Sequence, residues 1–382
     1  MEFLPRSLGT RPRLACEVRA DGVVAARAED ATAVLQAVAR VSLTEGIVLP
    51  QFHPDPAAAE NGTEPGSVAG GVRETAGREA LVGALRTALE QVGQRGRDVT
   101  LVVPDAAVRV LLLDFDALPA KAAEALPVVR FRLKKLLPFD ADGAAVSYQV
   151  MATTRAGLQV LAVAMPREVQ AEYERLVREA GFEPGAVLPS TLAALAGLAE
   201  GETPMLVVNA GLEGVTTAIV KSGVLLLHRT VDLGGEAGAG AVRVEVAAAA
   251  AAQEPADIDI SIAAIAARLK ALDARAAMQP AAAAERGADA GWNEVGQAVS
   301  VATAYFEDTL ETAPTVVLSA GPLGAEALTA VLGELSAGMG VEAVAVQEIV
   351  SRQMLGEGAA SAGLYGGIPL CWLAGVRGAL SN

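Results

Sequence analysis

The chain has 382 residues and a formal net charge of −15. That length exceeds what one core ordinarily supports, and the charge repels phosphate backbones and anionic bilayers, so two lobes are expected and nucleic acid or lipid headgroups are disfavoured as main partners. Apolar residues reach 52% but aromatics only 3%, so the interior is expected to pack small side chains instead of framing large aromatic pockets.

In chain order, residues 14–19 and 23–28 read as two strands joined by Ala20-Asp21-Gly22. The stretch 1–10 lacks the basic and then apolar pattern of a secretory leader, which predicts a cytoplasmic protein. In that compartment Cys16 and Cys371 read as reduced, buried small hydrophobes. With only His53 and His228 beside them, a zinc site is not expected. Residues 50–73 lack periodicity and read as a loop, after which 79–92 form an amphipathic helix stopped by Gly93. Strands follow at 100–103 and 110–115, with Pro104-Asp105-Ala106 as the turn between them.

Residues 121–137 read as a helix with Val129, Leu133, Leu136 and Leu137 on one face and Arg130, Arg132, Lys134 and Lys135 on another; Pro138 closes it. This most basic stretch of an acidic chain reads as a solvated face or as a docking surface for an acidic or extended partner. A strand at 158–164 then leads through Pro166 into a helix ended by Gly181, which is the grammar of an α/β layer. Residues 205–233 read as three successive strands with glycine in both turns, resembling the hairpin at 14–28 and hinting at two halves on one plan. Alanine-rich helices are expected over 236–290, helices over 292–310 and 325–337, and a strand over 315–318. The uncharged stretch 359–376 carries four glycines and a proline, so a buried or docking helix is expected there in preference to a membrane span.

Four stretches carry a resemblance: Leu101 to Val110; Phe131-Arg132-Leu133-Lys134-Lys135-Leu136-Leu137-Pro138-Phe139-Asp140 with Tyr148-Gln149-Val150; the three strands from 205; and Val316-Val317-Leu318-Ser319-Ala320-Gly321. Together they resemble the PilM-type type IV pilus assembly proteins, and through them the cytoplasmic part of GspL and the division protein FtsA. The resemblance implies an α/β, two-lobed actin-like fold (the duplicated, ribonuclease H-like ASKHA architecture) with a small inserted subdomain in the first lobe. The expected division is 1–203, with the insert at about 104–157 and the loop at 50–73, and 204–382.

It further implies a cytoplasmic scaffold, peripheral to the inner membrane, of type IV pilus or type II secretion machinery. Such a scaffold grips the N-terminal tail of a PilN-like bitopic membrane protein. A groove lined by Val129, Leu133, Leu136 and Phe139 would suit a short apolar tail, although the same residues would equally seat the helix on its own lobe. Self-association is a further implication of the fold.

Proteins of this type often bind ATP between the lobes, at turns that here would involve Glu17, Asn209, Gly211, Thr216, Ser319 and Gly321. Those turns are altered. Arg19 stands where a glycine is usual, Asn209 replaces an aspartate, and Ser319-Ala320-Gly321-Pro322 keeps only part of an adenosine turn. With Glu17 the one carboxylate left at a matching position, a degenerate nucleotide site on a non-catalytic protein is expected. The competing reading is an ATP-dependent enzyme of the same fold, a kinase or a polymerising ATPase. Other chemistry finds no support: the glycines at 234–240 lack dinucleotide spacing, and His228 sits in an apolar strand with no G-x-S-x-G elbow to serve.

Overall fold

The structure, a computed structural model, describes residues 12–29, 33–43, 75–93, 96–155, 157–198, 201–211, 214–233, 286–339, 345–356 and 368–381. The loop at 50–73, the glycine run at 234–240 and the alanine-rich stretch up to 285 lie outside the described residues.

Two five-stranded sheets repeat one plan. In the first, β1 (Leu14–Arg19) pairs antiparallel with β2 (Gly22–Ala28), which pairs antiparallel with β3 (Leu35–Ser42). On the other side of β1, β4 (Asp98–Val103) and β8 (Glu183–Pro189) add in parallel. In the second sheet, β9 (Met205–Ala210), β10 (Gly214–Lys221) and β11 (Val224–Asp232) form the antiparallel part. Strands β12 (Val316–Ser319) and β13 (Ala345–Glu348) extend it in parallel. The order β3-β2-β1-β4-β8 thus matches β11-β10-β9-β12-β13 strand for strand. The hint of two related halves in the sequence is realised as a duplication.

A third sheet, β5 (Arg109–Phe115), β7 (Leu158–Pro166) and β6 (Ala144–Thr153), is antiparallel and inserted between β4 and β8 in the chain. Helix α2 (Ala122–Leu133) lies on it. The helix stops at Leu133, short of the expected 137: Leu136 and Leu137 both donate to the Leu133 carbonyl, so the chain leaves as a turn toward Pro138. Val129, Leu133, Leu111, Leu113 and Val160 make a small core of their own.

On the outer face of the first sheet, α1 (Thr75–Gln91) and α3 (Arg167–Glu179) supply Leu81, Leu85, Leu89, Tyr173 and Leu176 to one cluster. On the second sheet, α5 (Arg286–Leu310) packs across β9 and β10, while α6 (Gly324–Met339) covers β12 and β13.

The face of the first sheet that looks toward the second carries α4 (Ser190–Ala196) and the C-terminal α7 (Ala374–Leu380). Between them the backbones come very close. A Cβ on Gly378 would lie 1.8 Å from the Ala193 carbonyl oxygen, so only glycine fits. Leu192, Leu195, Val376 and Leu380 here join Val207, Ala218 and Leu225 of the second sheet in one cluster that runs through both halves. A buried helix stands at 374–380 after a single 3₁₀ turn (Leu370–Leu373), overlapping only the end of the stretch 359–376 where one was expected; 359–367 lie outside the described residues. Among the described residues, no helix is long and apolar enough to cross a membrane.

Candidate functional site

The two sheets face each other across a cleft lined by the end of β1, the turn after β4, the start of α4 and the end of β9. Glu17, Asn209, Gly211 and Thr216 all line it, so four of the six residues expected at a nucleotide site meet in space. The other two lie behind it. Ser319 is buried within β12, and Gly321 is pressed on β9: a Cβ there would come within 2.5 Å of the Ala210 backbone and of Asn209 Oδ1.

The cleft is small and most of its polar groups are engaged with one another, Glu17 Oε2 and the Arg19 nitrogens Nε and Nη2 being buried without a hydrogen-bond partner among the described residues. Its volume is about 80 Å³, whereas sites for drug-sized ligands enclose roughly 300–1,000 Å³. Glu17, only 1% exposed, accepts from the Ser190 hydroxyl at 2.6 Å and pairs with the Arg19 guanidinium at 2.8 Å. Asp105, in a buried 3₁₀ turn (Asp105–Ala107), accepts from the Thr191 backbone N–H at 3.1 Å and from the Thr191 hydroxyl. The Asn209 amide nitrogen donates to Ser190 Oγ and Thr191 Oγ1, both at 3.0 Å, with Asp105 Oδ2 at 3.4 Å. Between β10 and β11, the Thr216 and Thr230 hydroxyls, which also line the cleft, share a hydrogen bond of 2.9 Å.

The C-terminal segment closes one side. The guanidiniums of Arg19 and Arg40 lie over the Trp372 ring at 5.3 and 3.5 Å, within the range of cation–π attraction. Gly375 of α7 abuts Glu17 so closely that a Cβ would sit 2.4 Å from the carboxylate. Burial pushes the His228 imidazole below its ordinary pKa, against the opposing pull of the Asp105 charge, so His228 is neutral near pH 7. Burial likewise raises the Glu348 carboxyl, which accepts from the Ala325 N–H at 2.6 Å and so caps α6. Among the described residues, no group of three or more His, Cys, Asp or Glu side chains is placed to hold a metal ion.

The inserted sheet offers a second candidate surface. Val129 and Leu133, two of the residues expected in a partner groove, are fully buried beneath α2 and seat the helix on its own sheet. Phe139 packs half-buried at the edge of the same core, and Leu136 is 37% exposed. The outward face of α2 carries Phe131, 68% exposed, with Val128 and Arg132 at helical spacing and exposed Lys135 just beyond the helix end. Arg130 is tied to the carbonyls of Ala141 and Ala144, and Lys134 pairs with Asp142 at 2.6 Å.

Comparison with solved structures places this architecture. A chain of the "PilM-PilN type IV pilus biogenesis complex" superposes with a TM-score of 0.64 at 18% identity, covering 97% of this chain and 98% of that one. The protein has the PilM fold. It is the actin-like, two-lobed α/β architecture, with the insert in the first half. Weaker likenesses are to the ethanolamine utilization protein EutJ from Carboxydothermus hydrogenoformans (TM-score 0.40, 13% identity, 99% of this chain and 90% of that one) and to the cytoplasmic domain of EpsL from Vibrio cholerae (0.35, 14%, 58% and 71%). No protein-family model and no curated protein matches the sequence.

Proposed function

We propose that this protein is a cytoplasmic scaffold of a type IV pilus or type II secretion machine. It captures the N-terminal tail of a PilN-type bitopic inner-membrane subunit and is held at the membrane through that partner. What carries the proposal is a likeness running end to end with a chain drawn from a complex of that composition, combined with an exposed apolar helix face on the insert.

Phe131 is the residue on which the capture rests. A large aromatic side chain in water is the usual anchor of an interface, where a few aromatic and arginine residues carry most of the affinity. Arg132 and Lys135 beside it suit a tail that carries a carboxylate next to its apolar residues. Val129 and Leu133 hold the helix from beneath. Leu136 and Phe139 stay in the proposal as the rim of the surface.

The nucleotide cleft belongs to the same reading as a degenerate site. The residues present fit a magnesium nucleotide poorly: Arg19 fills the place of the close-approach glycine and pairs with Glu17 Oε1, which also takes the Ser190 hydroxyl, and Asp105 is hydrogen-bonded to Thr191. No catalytic step is drawn from them.

The test is capture of a fluorescent peptide copying the N-terminal tail of a PilN-type bitopic membrane protein from the same genome. Phe131→Glu should abolish capture and leave the melting temperature unchanged. Unchanged capture by Phe131→Glu would overturn the surface. No capture by the wild-type protein would overturn the partner.

A further inference from the structure

We propose that the cleft is a lock made of the protein's own side chains. The chain Arg19–Glu17–Ser190–Asn209–Thr191–Asp105 holds the two halves in one arrangement without nucleotide, so tail capture is independent of ATP. The inference rests on reading the cleft as a degenerate nucleotide site.

Its members come from opposite sides. Arg19, Glu17, Asp105, Ser190 and Thr191 belong to the first sheet and to α4 upon it, whereas Asn209 ends the first strand of the second sheet. The hydrogen-bond directions explain why residue 209 is an amide. The Ser190 hydroxyl donates to Glu17 and the Thr191 hydroxyl to Asp105, so both protons are committed and only lone pairs face the second sheet. A donor is required there, and Asn209 supplies one to each oxygen at 3.0 Å. An ionised aspartate at 209 would be acceptor-only, facing two acceptors and standing beside Asp105 and Glu17.

Every named member is at least 91% buried, since the most exposed of them, Asn209, retains only 9%. Opening the cleft would therefore break bonds that water does not weaken in the closed state, and the groups polarise one another along the chain. Trp372 adds a second fastening. It arrives with the C-terminal segment, after the second sheet is complete, and lies under Arg19 and Arg40 of the first. Where a nucleotide would bridge the two halves of such a cleft, this protein has a guanidinium, an indole and an amide.

The experiment uses the full chain, with hydrogen exchange at α4 and β9, melting temperature, and tail-peptide affinity with and without Mg-ATP. For the wild type, neither melting temperature nor affinity should move with Mg-ATP. Asn209→Asp should lower the melting temperature by about 5 °C or more and speed exchange on both sides of the cleft. Should that variant fail to fold, Ser190→Ala removes the bridging hydroxyl more gently, and the same acceleration is expected. A Mg-ATP-dependent change in affinity, or unaltered exchange in the folded variant, would overturn the lock. Failure of the peptide to bind under any condition would sink the partner reading alone, because exchange and melting still report on the lock.

Discussion

Two surfaces of this molecule treat their side chains in opposite ways. In the cleft, Glu17, Ser190, Asn209, Thr191 and Asp105 are buried and bonded to one another, with Glu17 Oε2 and the Arg19 nitrogens Nε and Nη2 left without a hydrogen-bond partner among the described residues. On the outer face of α2, Phe131 is largely and Val128 partly exposed to water. In the actin-like architecture the cleft is the familiar place for a ligand. On the proposed reading the insert offers the surface for a partner, and the cleft serves as part of the frame.

The largest effect that would break this comparison is expected on the frame. Gly378→Val forces a side chain into the Ala193 carbonyl and should cost about 3 kcal/mol or more, seen as a large fall in melting temperature and detachment of the C-terminal segment. Next comes Leu133→Ala, which removes a fully buried anchor of the insert and should cost about 2–5 kcal/mol by denaturant melts. Phe131→Ala, two residues away, should leave stability within about 0.5 kcal/mol and weaken tail capture at least about tenfold. That pair separates the supporting face of α2 from the working one.

Two smaller effects concern titration. Burial raises the Cys16 thiol to about 12 and the Cys371 thiol to about 11, so both should resist alkylation near pH 8 in the folded protein and react at once in denaturant, as mass spectrometry would register. Glu348 has its folded pKa raised, so its ionisation costs the native state stability as pH rises through the carboxylate range. Glu348→Gln keeps the acceptor for Ala325 without that charge. It should melt about 1–2 °C above wild type at neutral pH, and the gap should close as the pH falls into the acid range.

Much of the frame was legible because its signals are local. The hairpin at 14–28 and the strands at 205–233 announce themselves by short glycine-bearing turns, and α3 by its apolar spacing behind Pro166. Strand β3 and helix α4 carry no such mark; α4 is seven residues long and buried almost throughout, so it shows no polar face. The lock was legible only at Glu17, Arg19 and Asn209. Ser190 lies 173 residues from Glu17 and Thr191 86 from Asp105, and no periodicity links them. On α2, apolar residues occupy both faces, at Val128 and Phe131 as well as at Val129 and Leu133, so spacing alone left the inward side undecided.

Titrating the tail peptide against wild type and Phe131→Glu, each with and without Mg-ATP, tests the central claim most directly. The account predicts one dissociation constant for the wild type in both conditions and no binding by the folded variant. Binding that survives Phe131→Glu, or that strengthens or weakens with nucleotide, would contradict it.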